Sequence, residues 1–113
     1  MTGGVTTRRL RHELRMNAIR LLAIDVGTQS ARAIVFDAEG HLLVKAQTAI
    51  DPVYYSPRPG WAEQDPETYW NAVVASCQSL WAQGVVQPHE ISGLALTTQR
   101  DTMICMDAAG KVL

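Results

Sequence analysis

A lone carboxylate followed by a glycine turn is the part of this chain best suited to chemistry. Asp25 ends the apolar run at residues 21–25, and the turn at residues 27–30 (Gly-Thr-Gln-Ser) follows it. An ionised carboxylate at the end of a buried strand is costly unless a cation or a hydrogen-bond donor faces it. Successive backbone N–H groups in such a turn, with hydroxyl groups beside them, suit phosphate oxygens. A carboxylate for a metal ion beside a turn for phosphate predicts a nucleotide site.

Three strands are predicted in this part of the chain, and the glycine turn connects the first two. Residues 21–25 form a short apolar run closed by a glycine turn, which is typical of a buried strand. Residues 31–36 predict a second strand, and the turn at 37–40 leads into a third at 41–48, where apolar and polar residues alternate. Two short connections in succession predict an antiparallel meander. Because the glycine turn joins two strands, phosphate would be held by turn amides and hydroxyls rather than by a helix N-terminus.

A helix is predicted after the proline-rich loop at residues 50–60. Asp65 is a typical N-cap, Pro66 suits the first helical position, and Glu67 places negative charge in the first turn. Gly84 fits just beyond the helix end as a left-handed cap. The residues predicted to form one apolar face, at three- and four-residue steps, are Trp70, Val73, Val74, Cys77, Leu80 and Trp81.

Two further strands are predicted after the helix, at residues 91–98 and 102–107. The second ends in a turn at 107–110 that resembles the turn at 37–40, and we interpret this as reuse of one hairpin turn rather than a repeat unit. The order strand-strand-strand-helix-strand predicts a ribonuclease-H-like α/β layer, in which a mixed sheet carries the helix on one face.

Length and cysteine usage limit the class of protein. A chain of 113 residues is long enough for one small core. None of its apolar runs approaches the roughly 20 residues that span a bilayer, so we expect a soluble chain without a membrane partner. Cys77 and Cys105 lack C-x-x-C spacing and sit in apolar segments, which predicts small core residues in a reducing, cytoplasmic compartment rather than a disulfide or zinc site.

The charge is divided unevenly along the chain. Residues 1–20 hold five arginines against one acidic residue, and we expect a disordered basic extension, with a transit peptide or a nucleic-acid tail as the alternatives. Residues 21–113 hold ten acidic and five basic residues, which argues against nucleic acid as the main partner.

Three segments, in order along the chain, resemble a known family. Residues 25–32 (Asp-Val-Gly-Thr-Gln-Ser-Ala-Arg) resemble the phosphate-binding hairpin of the actin, Hsp70 and sugar-kinase superfamily. Residues 59–66 (Pro-Gly-Trp-Ala-Glu-Gln-Asp-Pro), with Trp70, are similar to the segment that opens the first helix of FGGY carbohydrate kinases. Residues 98–102 (Thr-Gln-Arg-Asp-Thr) resemble the substrate-contacting turn of the glycerol-kinase-like branch. The resemblance covers residues 21–113, as an incomplete N-terminal domain.

The resemblance implies ATP-dependent phosphoryl transfer to a hydroxyl of a sugar or polyol. Asp25 would organise the Mg²⁺ of Mg-ATP, through water, and Arg32 would help to neutralise the phosphates. A substrate site at Arg100 and Asp101 is chemically reasonable, since a guanidinium beside a carboxylate offers vicinal hydroxyls a donor and an acceptor. The implied phosphate-binding residues are Asp25, Gly27, Thr28, Gln29, Ser30 and Arg32, and the implied substrate-binding residues are Gln99, Arg100 and Asp101.

Two departures from the family's pattern affect these expectations. Glycerol kinases carry Glu where this chain has Asp101, and the Met-His-Gly-type turn of xylulokinases is absent, which argues against both glycerol and xylulose as the acceptor. The family's catalytic base, adenosine-binding glycine motif and second lobe lie beyond the residues present. Transfer depends on positioning and on closure around the phosphates, so we expect a truncated or excised part of a kinase with negligible catalysis alone.

Simpler interpretations remain for the individual residues and for the whole chain. Asp25 could cap its own turn, Arg32 could be a solvent-facing strand residue, and Arg100 with Asp101 could be a surface ion pair. The chain could be a non-catalytic relic or binding module of the same fold. It could also be a ribonuclease-H-type nuclease with Asp25 and Asp101 as metal ligands, which would require further acidic residues and a basic groove.

Overall fold

The computed structural model describes Thr7, Arg9, Leu10 and residues 18–113. The predicted extension at residues 1–20 therefore lies largely outside the described residues. The helices and strands are β1 (Leu21–Val26), β2 (Ser30–Phe36), β3 (Leu42–Ala49), α1 (Pro66–Ala82), a single 3-10 turn (Pro88–Glu90) and β4 (Gly93–Thr98).

The strands form one mixed sheet in the order β3-β2-β1-β4. β1 pairs antiparallel with β2, and β2 pairs antiparallel with β3, which confirms the predicted meander. β4 lies parallel to β1, with Asp25 opposite Thr97 and Val26 opposite Thr98. Because parallel strands end at the same edge of a sheet, the glycine turn after β1 and the segment that follows β4 are neighbours.

α1 packs across β2 and β3 on one face of the sheet. It begins as predicted, since the Asp65 side chain accepts a hydrogen bond from the Glu67 N–H at 3.0 Å. Gly84, just beyond its end, has a φ of +69°. The core between helix and sheet is formed by Leu22, Ala33, Val35, Val44, Leu80 and Val86. No helix in the described part of the chain is long and apolar enough to cross a membrane.

The buried face of α1 is rotated by about one residue from the predicted one. Its fully buried residues are Ala72, Ser76 and Leu80, whereas Trp70 is 63% exposed. Trp70 and Ala72 are two positions apart, and at 3.6 residues per turn this places the tryptophan on the opposite side of the helix. Four of the predicted residues do pack against the core: Val73, Cys77, Leu80 and Trp81. The prediction left out Ala72 and Ser76, the small buried residues that allow the helix to approach the sheet closely.

The predicted fifth strand at residues 102–107 does not form. The described chain shows there only an isolated bridge between Met106 and Val112, which closes a short hairpin. A strand needs a neighbour for its backbone groups, and this apolar segment has no sheet edge beside it in the described chain; Met103 is 87% exposed. Cys105 is exposed as well, so its prediction as a core residue was wrong, while Cys77 packs against the core as expected.

Candidate functional site

Three successive carbonyl groups of the turn between β1 and β2 accept hydrogen bonds from other groups of the protein. The Ser30 carbonyl accepts a hydrogen bond from the Gly27 N–H at 3.0 Å, and the Gln29 carbonyl accepts one from the Ile50 N–H at 2.9 Å. The Thr28 carbonyl accepts one from the Tyr69 hydroxyl at 3.2 Å. In a trans peptide the N–H group points away from the carbonyl of the same plane, so anchored carbonyls direct the following N–H groups the other way.

Two residues of this turn are open to solvent. Thr28 and Gln29 are exposed, and within the described residues neither donates its backbone N–H to a protein acceptor. Ser30 is only 5% exposed, so its hydroxyl is far less accessible than that of Thr28. A Cβ on Gly27 would lie 3.3 Å from the Ser30 carbonyl oxygen, which explains why the turn favours glycine there. The open side of the turn thus offers unpaired backbone donors and one hydroxyl, which suits an anion.

Asp25 and Arg32 lie beside this turn and form an ion pair. They face each other across β1 and β2, and Arg32 Nη1 donates to Asp25 Oδ2 at 2.8 Å. Arg32 Nε also donates to Gln47 on β3 at 3.3 Å. The two charged side chains are 39% and 37% exposed, so both remain accessible to a ligand. Asp25 Oδ1 accepts no hydrogen bond from the described residues, and a free carboxylate oxygen is a ligand that Mg²⁺ prefers.

A second group of possible metal ligands lies at the β2–β3 turn and was not predicted. Asp37, Glu39 and His41 each bring one ligand atom within 4.8 Å of the others. Asp37 Oδ1 accepts hydrogen bonds from the N–H groups two and four residues later, at 3.0 and 2.8 Å. The turn that starts at Asp107 repeats both bonds with alanine and lysine at those positions, each at 2.9 Å. The arrangement therefore follows from the turn itself and does not require a metal ion.

The segment after β4 lines a cavity of about 650 Å³ beside the glycine turn. Gln99 and Asp101 both line it, whereas Arg100 is exposed and does not. The structure therefore brings two of the three predicted substrate-binding residues together. Asp101 adopts a φ of +62°, an uncommon left-handed conformation for a residue other than glycine. The sequence does not reveal this conformation: aspartate is several-fold enriched there, but only a few per cent of residues other than glycine adopt it.

Gln99 is held at the base of this segment by both its backbone and its side chain. Its backbone N–H donates to the Val26 carbonyl at 2.8 Å, and its Nε2 donates to Gln64 Oε1 at 3.1 Å. Gln64 Nε2 in turn donates to the Val53 carbonyl at 3.1 Å. Gln99 Oε1 is buried and has no donor among the described residues. A buried unpaired acceptor is costly, so a hydroxyl donor in the cavity would be favoured there.

The remaining wall of the cavity combines aromatic, acidic and apolar groups, the last including Ile104, Val112 and Leu113. Tyr55, Glu63 and Tyr69 line it together with Asp101. A hydrogen bond to Glu63 raises the pKa of Tyr55 above its ordinary value of 10.0. Gln99 Oε1 and the carboxylates of Glu63 and Asp101 are acceptors in this lining, and they suit the hydroxyl groups of a neutral ligand.

Comparisons with known proteins agree with the geometry. Residues 20–113 match the model of the N-terminal domain of the FGGY family of carbohydrate kinases. The chain is 40% identical over 84 residues to the glycerol kinase of Paracidovorax citrulli, a match that covers 74% of this chain and 16% of that protein. It is 42% identical over 84 residues to the glycerol kinase of Variovorax paradoxus, with the same coverage. The chain thus spans about one-sixth of the length of these curated relatives.

Solved structures share the same fold. The xylulose kinase of Rhodospirillum rubrum superposes with a TM-score of 0.70 at 26% identity, over 83% of this chain and 19% of that one. This likeness confirms the predicted ribonuclease-H-like α/β fold of the actin, Hsp70 and sugar-kinase superfamily, with the sheet and helix of a partial N-terminal domain. On the family match and the relatives at about 40% identity, the chain belongs to the FGGY family of carbohydrate kinases, in its glycerol-kinase-like branch.

Proposed function

We propose that this chain supplies the phosphate-binding hairpin and part of the acceptor cavity of an ATP-dependent kinase that phosphorylates a hydroxyl of a small sugar or polyol. The observation that carries the proposal is the turn at residues 27–30, whose carbonyls are anchored inward while the N–H groups of Thr28 and Gln29 stay open. A triphosphate placed there would meet unpaired donors and the Arg32 guanidinium.

The residues present also fit a magnesium ion. Asp25 would hold the ion through water, since one of its carboxylate oxygens is free of hydrogen bonds from the described residues. The bound ion would supply charge neutralisation for the triphosphate. Arg32 would then be released from Asp25 to face the phosphate oxygens, because both side chains are accessible. Thr28 would add its hydroxyl, and Gln29 and Ser30 their backbone groups, with Gly27 permitting the close approach.

The acceptor would lie in the cavity at the end of β4. Gln99 Oε1 and Asp101 would accept hydrogen bonds from its hydroxyls, and Arg100 would reach the ligand only if its exposed side chain turned inward. The similarity to glycerol kinases supports a polyol, while the shorter Asp101 supports one other than glycerol.

We further propose that residues 21–113 are part of an N-terminal kinase domain, that residues 1–20 are an extension to it, and that this chain alone binds ligands with negligible turnover. The matched stretch covers only 16% of the relative's length, and transfer requires groups that close around the phosphates. Both cysteines are free thiols, which supports a cytoplasmic setting. A nuclease is not supported, since neither Asp25 nor Asp101 belongs to a group of three metal ligands in the described chain.

Calorimetric titration of the 113-residue chain with Mg-ATP tests the proposal. We expect binding that weakens about tenfold or more in Asp25→Asn, because loss of a group that orients metal-bound water commonly has this effect. Glu67→Gln is the matched control, since it removes an exposed carboxylate in α1 and should leave the affinity unchanged. Equal affinity of wild type and Asp25→Asn, or no binding at millimolar Mg-ATP, would contradict the proposed function.

A further inference from the structure

One side chain in the described structure donates a hydrogen bond to the backbone of the glycine turn. The hydroxyl of Tyr69, in the first turn of α1, donates to the Thr28 carbonyl at 3.2 Å. The other two carbonyl anchors of this turn come from backbone N–H groups, of Gly27 and Ile50. The conformation of the turn therefore depends on one long-range side-chain contact, made across 41 residues of sequence.

The ring of Tyr69 is held in place by packing. It lies against the small cluster formed by Ala31, Ile50 and Ala72, where β2, the end of β3 and α1 meet. The ring also lines the acceptor cavity. Since the cluster fixes the ring, the position of the hydroxyl is set by the helix and the sheet rather than by the exposed turn.

We propose that Tyr69 is a positioning residue for the phosphate-binding hairpin and that it sets the direction of the Gln29 N–H group. The Thr28 carbonyl and the Gln29 N–H belong to the same planar trans peptide and point in opposite directions. When Tyr69 draws the carbonyl towards the helix, the N–H must face away from it, on the open side of the turn. This proposal rests on the proposed function, in which that open side receives phosphate oxygens.

Tyr69 therefore contacts both the phosphate-binding hairpin and the acceptor cavity. Its hydroxyl fixes the hairpin, while its ring bounds the cavity that Gln99 and Asp101 also line. Phenylalanine at this position would keep the ring and its packing but lose the hydrogen bond. Tyr69→Phe is therefore a variant that separates positioning of the turn from packing of the core.

The test compares Tyr69→Phe with Tyr54→Phe, which makes the same substitution at a 58% exposed tyrosine outside the cavity and the hairpin. Mg-ATP affinity is measured by calorimetry on the 113-residue chains at a temperature where all are fully folded. Tyr69→Phe removes one neutral hydrogen bond that orients the Gln29 N–H group. This loss should weaken Mg-ATP binding about three- to tenfold. Tyr54→Phe should match the wild type. Equal affinity of the two variants would overturn the proposal, since a role in core stability alone does not change binding by folded protein.

Amide hydrogen exchange provides a readout that does not depend on nucleotide. The N–H groups of Gly27 and Ile50 donate the other two hydrogen bonds to the carbonyls of the turn. We expect both amides to exchange several-fold faster in Tyr69→Phe, whereas amides in the middle of β2 should exchange at the wild-type rate. If the wild type bound no Mg-ATP, the proposed function would fail and these rates would decide the role of Tyr69. Faster exchange confined to the hairpin would then support positioning, and unchanged rates would overturn it.

Discussion

Asp25 and Arg32 lie directly opposite each other on β1 and β2, with 2.8 Å between Oδ2 of the carboxylate and Nη1 of the guanidinium. The sequence predicts these residues separately, one for a metal ion and the other for phosphate. In the structure each neutralises the other. The pair keeps both charges beside the hairpin. Under the proposed function, Asp25 would turn to the metal ion and Arg32 to the triphosphate.

This ion pair should contribute little to folding stability. Its side chains are 37% and 39% exposed, and pairs open to solvent contribute about 0.2–1 kcal/mol. A double-mutant cycle of Asp25→Asn and Arg32→Gln, measured by urea denaturation, should give a coupling energy in that range. The value should fall further in high salt. A coupling energy of several kcal/mol would show that the pair serves the fold rather than a ligand.

The buried face of α1 can be tested with two large residues of the same helix. Leu80 is fully buried, and truncation of a buried leucine to alanine commonly costs about 2–5 kcal/mol. Trp70 is 63% exposed, so Trp70→Ala should change the free energy of unfolding far less despite the larger side chain removed. Urea denaturation of both variants gives the comparison. The reverse order would restore the helix face predicted from the large apolar residues.

Ser76 should make a specific contribution at the helix–sheet interface. It is 1% exposed, and its Oγ lies 3.0 Å from the Ala31 carbonyl oxygen and 3.0 Å from Thr48 Oγ1. The single hydroxyl proton of Ser76 can be donated to one of these oxygens, and the Thr48 hydroxyl can donate back to Ser76. Ser76→Ala removes both contacts from the helix–sheet interface, so we expect a loss of about 1–3 kcal/mol in unfolding free energy. Ser79→Ala, on the exposed side of the same helix, should be neutral or slightly stabilising. Equal effects of the two changes would show that the buried hydroxyl contributes nothing.

The β2–β3 turn should give the chain a pH-dependent contribution to stability. The hydrogen bond to Asp37 raises the pKa of His41 above its ordinary value of 6.5. Partial burial acts to raise the pKa of Asp37, but its hydrogen bonds to the backbone and ring of His41 outweigh this, and the pKa is lowered below 3.8. The contribution of His41 to folding stability is therefore complete below pH 6.5 and is lost as the pH rises through the raised pKa. The aspartate contribution is complete above pH 3.8 and is lost as the pH falls through the lowered pKa.

Melting temperatures of wild type and His41→Gln at several pH values test the direction of this pH dependence. The wild type should exceed the variant by more at pH 5.5 than at pH 8.5, because the imidazolium–carboxylate pair exists only at the lower pH. His89→Gln, which makes the same substitution at an exposed histidine in the 3-10 turn, is the matched control. A gap between wild type and His41→Gln that widens with rising pH would contradict the assignment.

Local patterns predicted the four strands of the sheet and the helix to within one or two residues at most ends. Alternation, the Asp65–Pro66 start and the glycine turns are signals that act over a few residues, so the sequence displays them directly. The fifth strand failed because strand formation needs a neighbour, and an apolar run does not show whether one exists. Cys105 was misplaced for the same reason.

The site was less accessible from the sequence because its central contacts are long-range. The pairing of Asp25 with Arg32 could have been found by counting outward from the turn, since antiparallel register follows from turn length. The hydrogen bond from Tyr69 to Thr28 has no such signal, because it depends on how α1 crosses the sheet. The orphaned Gln99 Oε1 likewise depends on the packing of the loop that carries Gln64.

The most direct test of the phosphate-binding hairpin is a nuclear magnetic resonance titration of the ¹⁵N-labelled 113-residue chain with Mg-ATP. We expect the largest amide shifts at Thr28 and Gln29, with smaller ones at Gly27 and Asp25. In Asp25→Asn the same shifts should require about tenfold or more Mg-ATP. Amides in the β2–β3 turn should not move. Shifts centred on the Asp37 turn or spread evenly over the chain, with Thr28 and Gln29 unmoved, would show that the turn at residues 27–30 does not bind the phosphates.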